Sequence, residues 1–172
     1  IRDCGIVVLQ ECPPDGTAIF TSWMMKNETT CRATVDYVTT PVTPTMSLVT
    51  VWDSTSWRLQ WPSWNLPLFV QRTLARQFQG LKGGTISVLN VHLPNGGPPR
   101  SPEREEHTSN VANVLVDYFE NTDAHVCVAV GDYNLDVFSV VRKMSQGCSH
   151  HFFVQLSAAK LPNNSQSWSW AG

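Results

Sequence analysis

The sequence predicts an α/β domain, and three observations carry that expectation. Short, continuous apolar runs recur along the chain, as strands covered on both faces require. One long amphipathic pattern with helix-start residues lies between two of these runs. Three of the runs also stop abruptly in polar residues able to do chemistry, and the carboxyl ends of strands are where α/β proteins usually build their sites. The 172 residues fit one domain. With 42% hydrophobic and 15% charged residues, the composition supports a packed core and argues against a disordered chain.

The first run, Ile6-Val7-Val8-Leu9, reads as a buried strand ending in Gln10-Glu11. The second, residues 47–52 (Ser-Leu-Val-Thr-Val-Trp), is rich in β-branched and aromatic residues. Residues 57–67 are interrupted by proline and tryptophan and read as a loop or irregular edge. If the stretch around Arg72 and Arg76 is helical, these two share a face that can meet a phosphate backbone. A third strand, residues 85–91, follows the Gly83-Gly84 turn signal and ends in His92-Leu93-Pro94. Ser101 then offers a cap, Pro102 suits the first helical position, and Glu103, Glu105 and Glu106 suit the positive end of the helix dipole. Val111, Val114, Leu115, Tyr118 and Phe119 give that helix one apolar face. The fourth strand, residues 126–130, ends in Gly131-Asp132-Tyr133-Asn134. A strand–helix–strand unit implies that the third and fourth strands are parallel if they share a sheet. A second helix is expected from about Val137 to Met144, and a last strand over residues 152–156.

If the strands are neighbours pointing the same way, one sheet edge collects Glu11, His92, Asp132 and Asn134. Those residue types suit in-line attack of water on a phosphate ester. Glu11 offers hard oxygen to Mg²⁺, an ion that keeps several waters and binds through one or two carboxylates plus substrate phosphate. Asp132 can orient or deprotonate a water, Asn134 has amide donors for a phosphate oxygen, and His92 can donate as charge builds. Taken singly, each residue has a plainer role: carboxylates and Asx residues after strands form turns and caps, and a lone histidine is often structural.

The net charge of −2 excludes binding to nucleic acid through bulk positive charge alone, but not through a metal ion. No apolar run approaches the roughly 18 residues that span a bilayer, and no leader opens the sequence, so an intracellular setting, nuclear or cytoplasmic, is expected. The five cysteines are odd in number and contain no Cys-x-x-Cys pair, which argues against a disulfide framework or a zinc site. Trp61, Trp64 and Phe69 can stack on bases or pack in an edge.

The same blocks resemble the endonuclease/exonuclease/phosphatase superfamily. Residues 3–11, ending in Val-Val-Leu-Gln-Glu, look like its segment with the metal-binding glutamate, and residues 88–94 (Val-Leu-Asn-Val-His-Leu-Pro) resemble its strand ending in His-Leu. Val128-Ala129-Val130-Gly131-Asp132-Tyr133-Asn134 is similar to its Gly-Asp-x-Asn signature, the most specific of the three. Residues 51–59 resemble a further strand and turn. The resemblance implies a two-sheet α/β sandwich with flanking helices. It makes Glu11 the ligand of Mg²⁺ or Mn²⁺, with His92, Asp132 and Asn134 as catalytic residues. It implies hydrolysis of phosphodiesters in nucleic acid, DNA favoured over RNA, as by the endonucleases many retrotransposons carry. The alternatives are a non-catalytic remnant or binding module of the same fold, or a phosphatase acting on inositol or lipid phosphates.

The family also carries an asparagine on an earlier strand and closes on an Asp-His pair. No asparagine precedes Glu11, and Ser149-His150-His151 only imitates that ending, while Ser167-Trp168-Ser169-Trp170 resembles a Thr-Trp block that precedes it. Residues 1–172 are therefore expected to form a single incomplete domain, lacking its first and last strands and weak or inactive by itself.

Overall fold

The computed structural model describes residues 5–12, 35–43, 46–60, 72–147, 155–160 and 166–171. Its strands are β1 (Ile6–Cys12), β2 (Val35–Thr43), β3 (Met46–Asp53), β4 (Trp57–Gln60), β5 (Thr73–Gly80), β6 (Thr85–His92), β7 (Val126–Asp132), β8 (Gln155–Lys160) and β9 (Gln166–Ala171). Helix α1 (Pro102–Asn121) joins β6 to β7, and α2 (Val137–Gly147) follows β7.

One sheet has the order β1-β3-β2, all antiparallel. The second has the order β4-β5-β6-β7, in which β6 and β7 are parallel, as the α1 crossover requires. An antiparallel β8-β9 ladder lies alongside β7. The architecture is the expected α/β sandwich with helices outside. No helix among the described residues is long and apolar enough to cross a membrane.

The alternation of β6 explains the layers, because successive side chains of a strand point to opposite faces. Leu89 and Val91 pack with Val111, Leu115 and Tyr118 of α1 and with Val140 and Met144 of α2. The buried Tyr118 hydroxyl donates to Ser87 Oγ at 2.9 Å from that side. Val88 faces the other way and packs with Trp52 and Phe78 between the sheets, with Ile6, Val8, Trp57 and Leu59 around them. Helix α1 starts as its sequence directs: Ser101 is extended and its side chain accepts from Arg104 N, Pro102 opens the first turn, and Glu103 and Glu105 lie in it. Val111, Val114, Leu115 and Tyr118 are buried, and Phe119 is partly so.

Two expectations are corrected. Residues 57–60 form β4, because alternating Trp57 and Leu59 reach the inter-sheet core while their backbone pairs with β5. The stretch after Arg72 is a strand: Leu74 and Phe78 fill the core at period-two spacing. Arg76 is accordingly half-buried, its Nη1 donates to Ala75 O at 2.7 Å, and burial lowers its guanidinium pKa, so it is no open phosphate contact. Of the strand expected over residues 152–156, residues 155–156 belong to β8, and residues 152–154 lie outside the described residues. Trp61, Trp64, Phe69, His150 and His151 lie outside the described residues.

Candidate active site

The parallel register of β6 and β7 sets His92 opposite Asp132. His92 belongs to the same face of β6 as Val88 and Asn90, the face toward the first sheet. Across that interface β1 breaks register with β3 between Leu9 and Cys12, and Glu11 takes the left-handed region, with φ +53°. Such a bulge re-aims a side chain. Glu11 Oε1 consequently lies 3.3 Å from His92 Nε2. The histidine side chain is 6% exposed and the glutamate 65%, so the pair has one walled side and one open side. His92 Nδ1 is buried without a hydrogen-bond partner among the described residues.

Each residue of the Gly131-Asp132-Tyr133-Asn134 turn has a physical reason. Gly131 has φ +140°, and a Cβ there would sit 1.9 Å from Val91 O, so only glycine lets β7 come this close to β6 as it bends. Asp132 Oδ1 accepts from Asn134 N at 2.9 Å, an Asx-type turn. Tyr133 is buried in the helix-side core, which pushes its phenol pKa up. Asn134 takes φ +50°, a region asparagine tolerates, and its Nδ2 donates to Leu93 O at 2.7 Å. Leu93 N in turn donates to Asp132 O at 2.9 Å. The loops after His92 and Asp132 are thus stitched together, and Glu11, His92, Asp132 and Asn134 share one end of the sandwich.

No protein-family model and no curated protein matches the chain. Solved structures do. A humanized D. rerio TDP2 superposes with a TM-score of 0.57 at 13% identity, over 82% of this chain and 53% of that one. ANGEL2, a 2',3'-cyclic phosphatase, gives 0.53 at 16% identity, over 77% of this chain and 40% of that one. An AP endonuclease from Archaeoglobus fulgidus gives 0.53 at 11% identity, over 84% of this chain and 60% of that one. All three are members of the endonuclease/exonuclease/phosphatase superfamily. The chain has the endonuclease/exonuclease/phosphatase fold. It spans about half the length of the TDP2 chain and less of ANGEL2.

On this fold, two residues gain roles that the sequence did not assign. Asn90 is fully buried, donates from Nδ2 to Leu9 O at 3.0 Å and Val49 O at 3.1 Å, and accepts from Gln10 Nε2 at 2.7 Å. One amide therefore joins β1, β3 and β6 beside the Glu11–His92 pair. The available signal was a polar residue inside an apolar run, two positions before His92. Arg104, in the first turns of α1, donates to the loops around the site.

Among the described residues, no three His, Cys, Asp or Glu side chains gather as a metal-ligating group. The donors at this end are carboxylate and amide oxygens and the single imidazole of His92. The oxygen donors fit an ion such as Mg²⁺ that takes much of its shell from water and phosphate, and among the described residues no further His or Cys gathers with His92 as a zinc site would ask. Glu11 and Asp132 are both exposed carboxylates at this end. The two described cysteines, Cys12 and Cys127, are free thiols.

Proposed function

We propose that Glu11, His92, Asp132 and Asn134 form a centre that hydrolyses phosphodiester bonds in nucleic acid with Mg²⁺ or Mn²⁺. The observation that carries this reading is the junction of three strand ends: His92 Nε2 is 3.3 Å from Glu11 across the two sheets, opposite Asp132 in register, with Asn134 tied to Leu93. Glu11 would hold the metal, which when bound neutralises charge on the phosphate. Asp132 is exposed, and beyond its bond to Asn134 N its carboxylate orients or deprotonates the attacking water. One N–H of the Asn134 amide is committed to Leu93 O, which fixes the plane of the group and directs the other at a phosphate oxygen. The His92 ring supplies an N–H from the buried wall, where low dielectric strengthens it.

DNA is favoured over RNA, in line with a D. rerio TDP2 structure of this fold that holds a single-strand DNA product. A nuclear or cytoplasmic setting goes with such a substrate. The chain covers 70% of that structure, and its unaided turnover is expected to be low, because groups that act as a unit lose far more than their share when some are missing.

One observation favours a second reading, a non-catalytic phosphate- or nucleic-acid-binding module of the same fold: no three metal-ligating side chains converge among the described residues. The deciding experiment compares the wild-type chain with Asp132→Ala on supercoiled plasmid and end-labelled RNA, in Mg²⁺, Mn²⁺ and chelator. Slow nicking that needs the metal and disappears in Asp132→Ala supports hydrolysis. Binding without any Asp132-dependent cleavage supports the module.

A further inference from the structure

We infer that Arg104 is a positioning residue that sets the distance between the two loops of the site and holds Asn134 in its left-handed conformation. This deepens the hydrolytic reading above and rests on it. Arg104 lies in the first turns of α1, beside neither His92 nor Asp132 in sequence. Its Nη1 donates to Gly97 O at 2.9 Å and to Asn95 Oδ1 at 3.4 Å, both in the loop that follows His92. Its Nη2 donates to Asn134 O at 3.3 Å, in the loop that follows Asp132. One planar guanidinium thus bridges the two loops that leave the ends of β6 and β7.

The surroundings make this bridge specific. The loop after β6 is pressed onto its neighbours: a Cβ on Gly96 would come within 2.7 Å of the His107 ring and 3.0 Å of Leu135. Gly97 has φ +98°, which turns its carbonyl into place for Arg104. Asn134 is held at three points, through its N by Asp132, its side chain by Leu93 and its carbonyl by Arg104. The first two hold the amide group against β6 and β7. The third ties that turn to the helix and fixes the peptide that follows it. Arginine suits this work because its fork presents several donors in a fixed plane, and lysine, a single flexible point donor, cannot span both loops.

Placement errors of about 1 Å at a reacting centre can cost about 10²-fold in rate. The experiment uses Arg104→Gln and Arg104→Lys, with Tyr118→Phe as a stability control that removes the Tyr118–Ser87 hydrogen bond of α1 and none of the bonds of Arg104. Plasmid nicking is measured as kcat and KM, together with thermal midpoints and the backbone amide resonances of Asn134 and Gly97. The expected result is a kcat loss of about 10- to 100-fold in Arg104→Gln with little change in KM. It should be only partly relieved in Arg104→Lys, be partly rescued by added guanidinium ion, and be accompanied by shifts at Asn134 and Gly97. Tyr118→Phe should lower the thermal midpoint and leave kcat near wild type. The inference is overturned if Arg104→Gln keeps wild-type kcat, or if Tyr118→Phe reproduces its kcat loss. If wild-type chain shows no Asp132-dependent hydrolysis, the hydrolytic reading falls by itself. The Asn134 and Gly97 resonances then decide the bridge alone, and unshifted resonances in Arg104→Gln overturn it.

Discussion

His92 Nε2 and Glu11 Oε1 are 3.3 Å apart although β6 and β1 belong to different sheets. No hydrogen-bonded ladder sets that separation, so it depends on how the sheets are registered against each other. The side chain that registers them is Asn90. Its amide reaches two carbonyls on the first sheet, Leu9 O and Val49 O, and accepts from Gln10, the residue before Glu11.

Asn90→Leu keeps the volume and removes all three bonds. It leaves two buried carbonyls and the Gln10 amide without their partner, and each such group costs about 1–3 kcal/mol. A loss of at least about 2 kcal/mol is expected by urea denaturation, and any hydrolytic activity should fall further than folding stability explains. Unchanged stability would show that water or a shifted Gln10 replaces the amide.

Gly131→Ala should be among the most damaging single changes in the second sheet. The residue has φ +140°, and an added methyl would overlap Val91 O, which is backbone and cannot swing aside. Strain of this kind typically exceeds about 3 kcal/mol. At about 2–4 °C per kcal/mol for a domain of this size, the thermal midpoint should drop by about 6 °C or more. A normal midpoint would mean that β7 bends differently in solution.

The elements that were legible in the sequence are those whose pattern is local. β1, β3, β6 and β7 announced themselves as continuous apolar runs, and α1 by Ser101, Pro102 and its apolar stripe. β4 and β5 did not, because Arg58, Gln77 and Gln79 alternate with apolar residues, and the proline-rich stretch that follows β4 masked its short run. Arg72 and Arg76 are four apart, a spacing that shares a face in a strand as well as in a helix, so spacing alone could not separate the two. The residues of the proposed site stand out in the sequence as polar breaks after strands. Asn90 and Arg104 do not, since their partners are dozens of residues away or in backbone, and only the folded chain brings Val49 O or Asn134 O to them.

Acid should weaken the fold through specific carboxylates. Asp53 is held below the ordinary carboxylate range first by the Thr55 hydroxyl and then by the Thr55 and Ser56 donors, in the turn that carries the chain from one sheet to the other. Glu105 is lowered first by its hydrogen bond to Lys143, which links α1 to α2. A depressed folded pKa gives stability that is present above the unfolded value, about 4, and is lost as pH falls through the folded one. The thermal midpoint should therefore be flat near neutrality and decline below about pH 4. Both groups are exposed, so the contribution is small and weakened by salt. The double variant Asp53→Asn, Lys143→Met should start lower and decline less steeply. An identical acid limb in both proteins would remove these two carboxylates from the account.

The last prediction separates chemistry from folding at the site. Asp132 is exposed, and Asp132→Asn keeps an oxygen to accept from Asn134 N, so the turn should survive. What it removes is the negative charge proposed to orient or deprotonate water. His92→Gln keeps a polar side chain on the same face of β6 and removes the ring donor. Glu11→Gln leaves the neutral shape and removes the hard anionic ligand. Loss of one preorganised group of this kind costs about 10²–10³ in rate, and because groups that act together are not additive, the triple variant should be little worse than the weakest single one. The measurement is metal-dependent nicking under single-turnover conditions, with the thermal midpoint of each variant taken alongside. Glu11→Gln should in addition raise the Mg²⁺ concentration needed for half-maximal rate, a shift that Asp132→Asn should not produce. If Asp132→Asn and Glu11→Gln alter the metal requirement equally, Asp132 shares the metal rather than handling the water. If neither changes rate or metal dependence while the midpoints stay put, this end of the sandwich is not where phosphodiesters are cut.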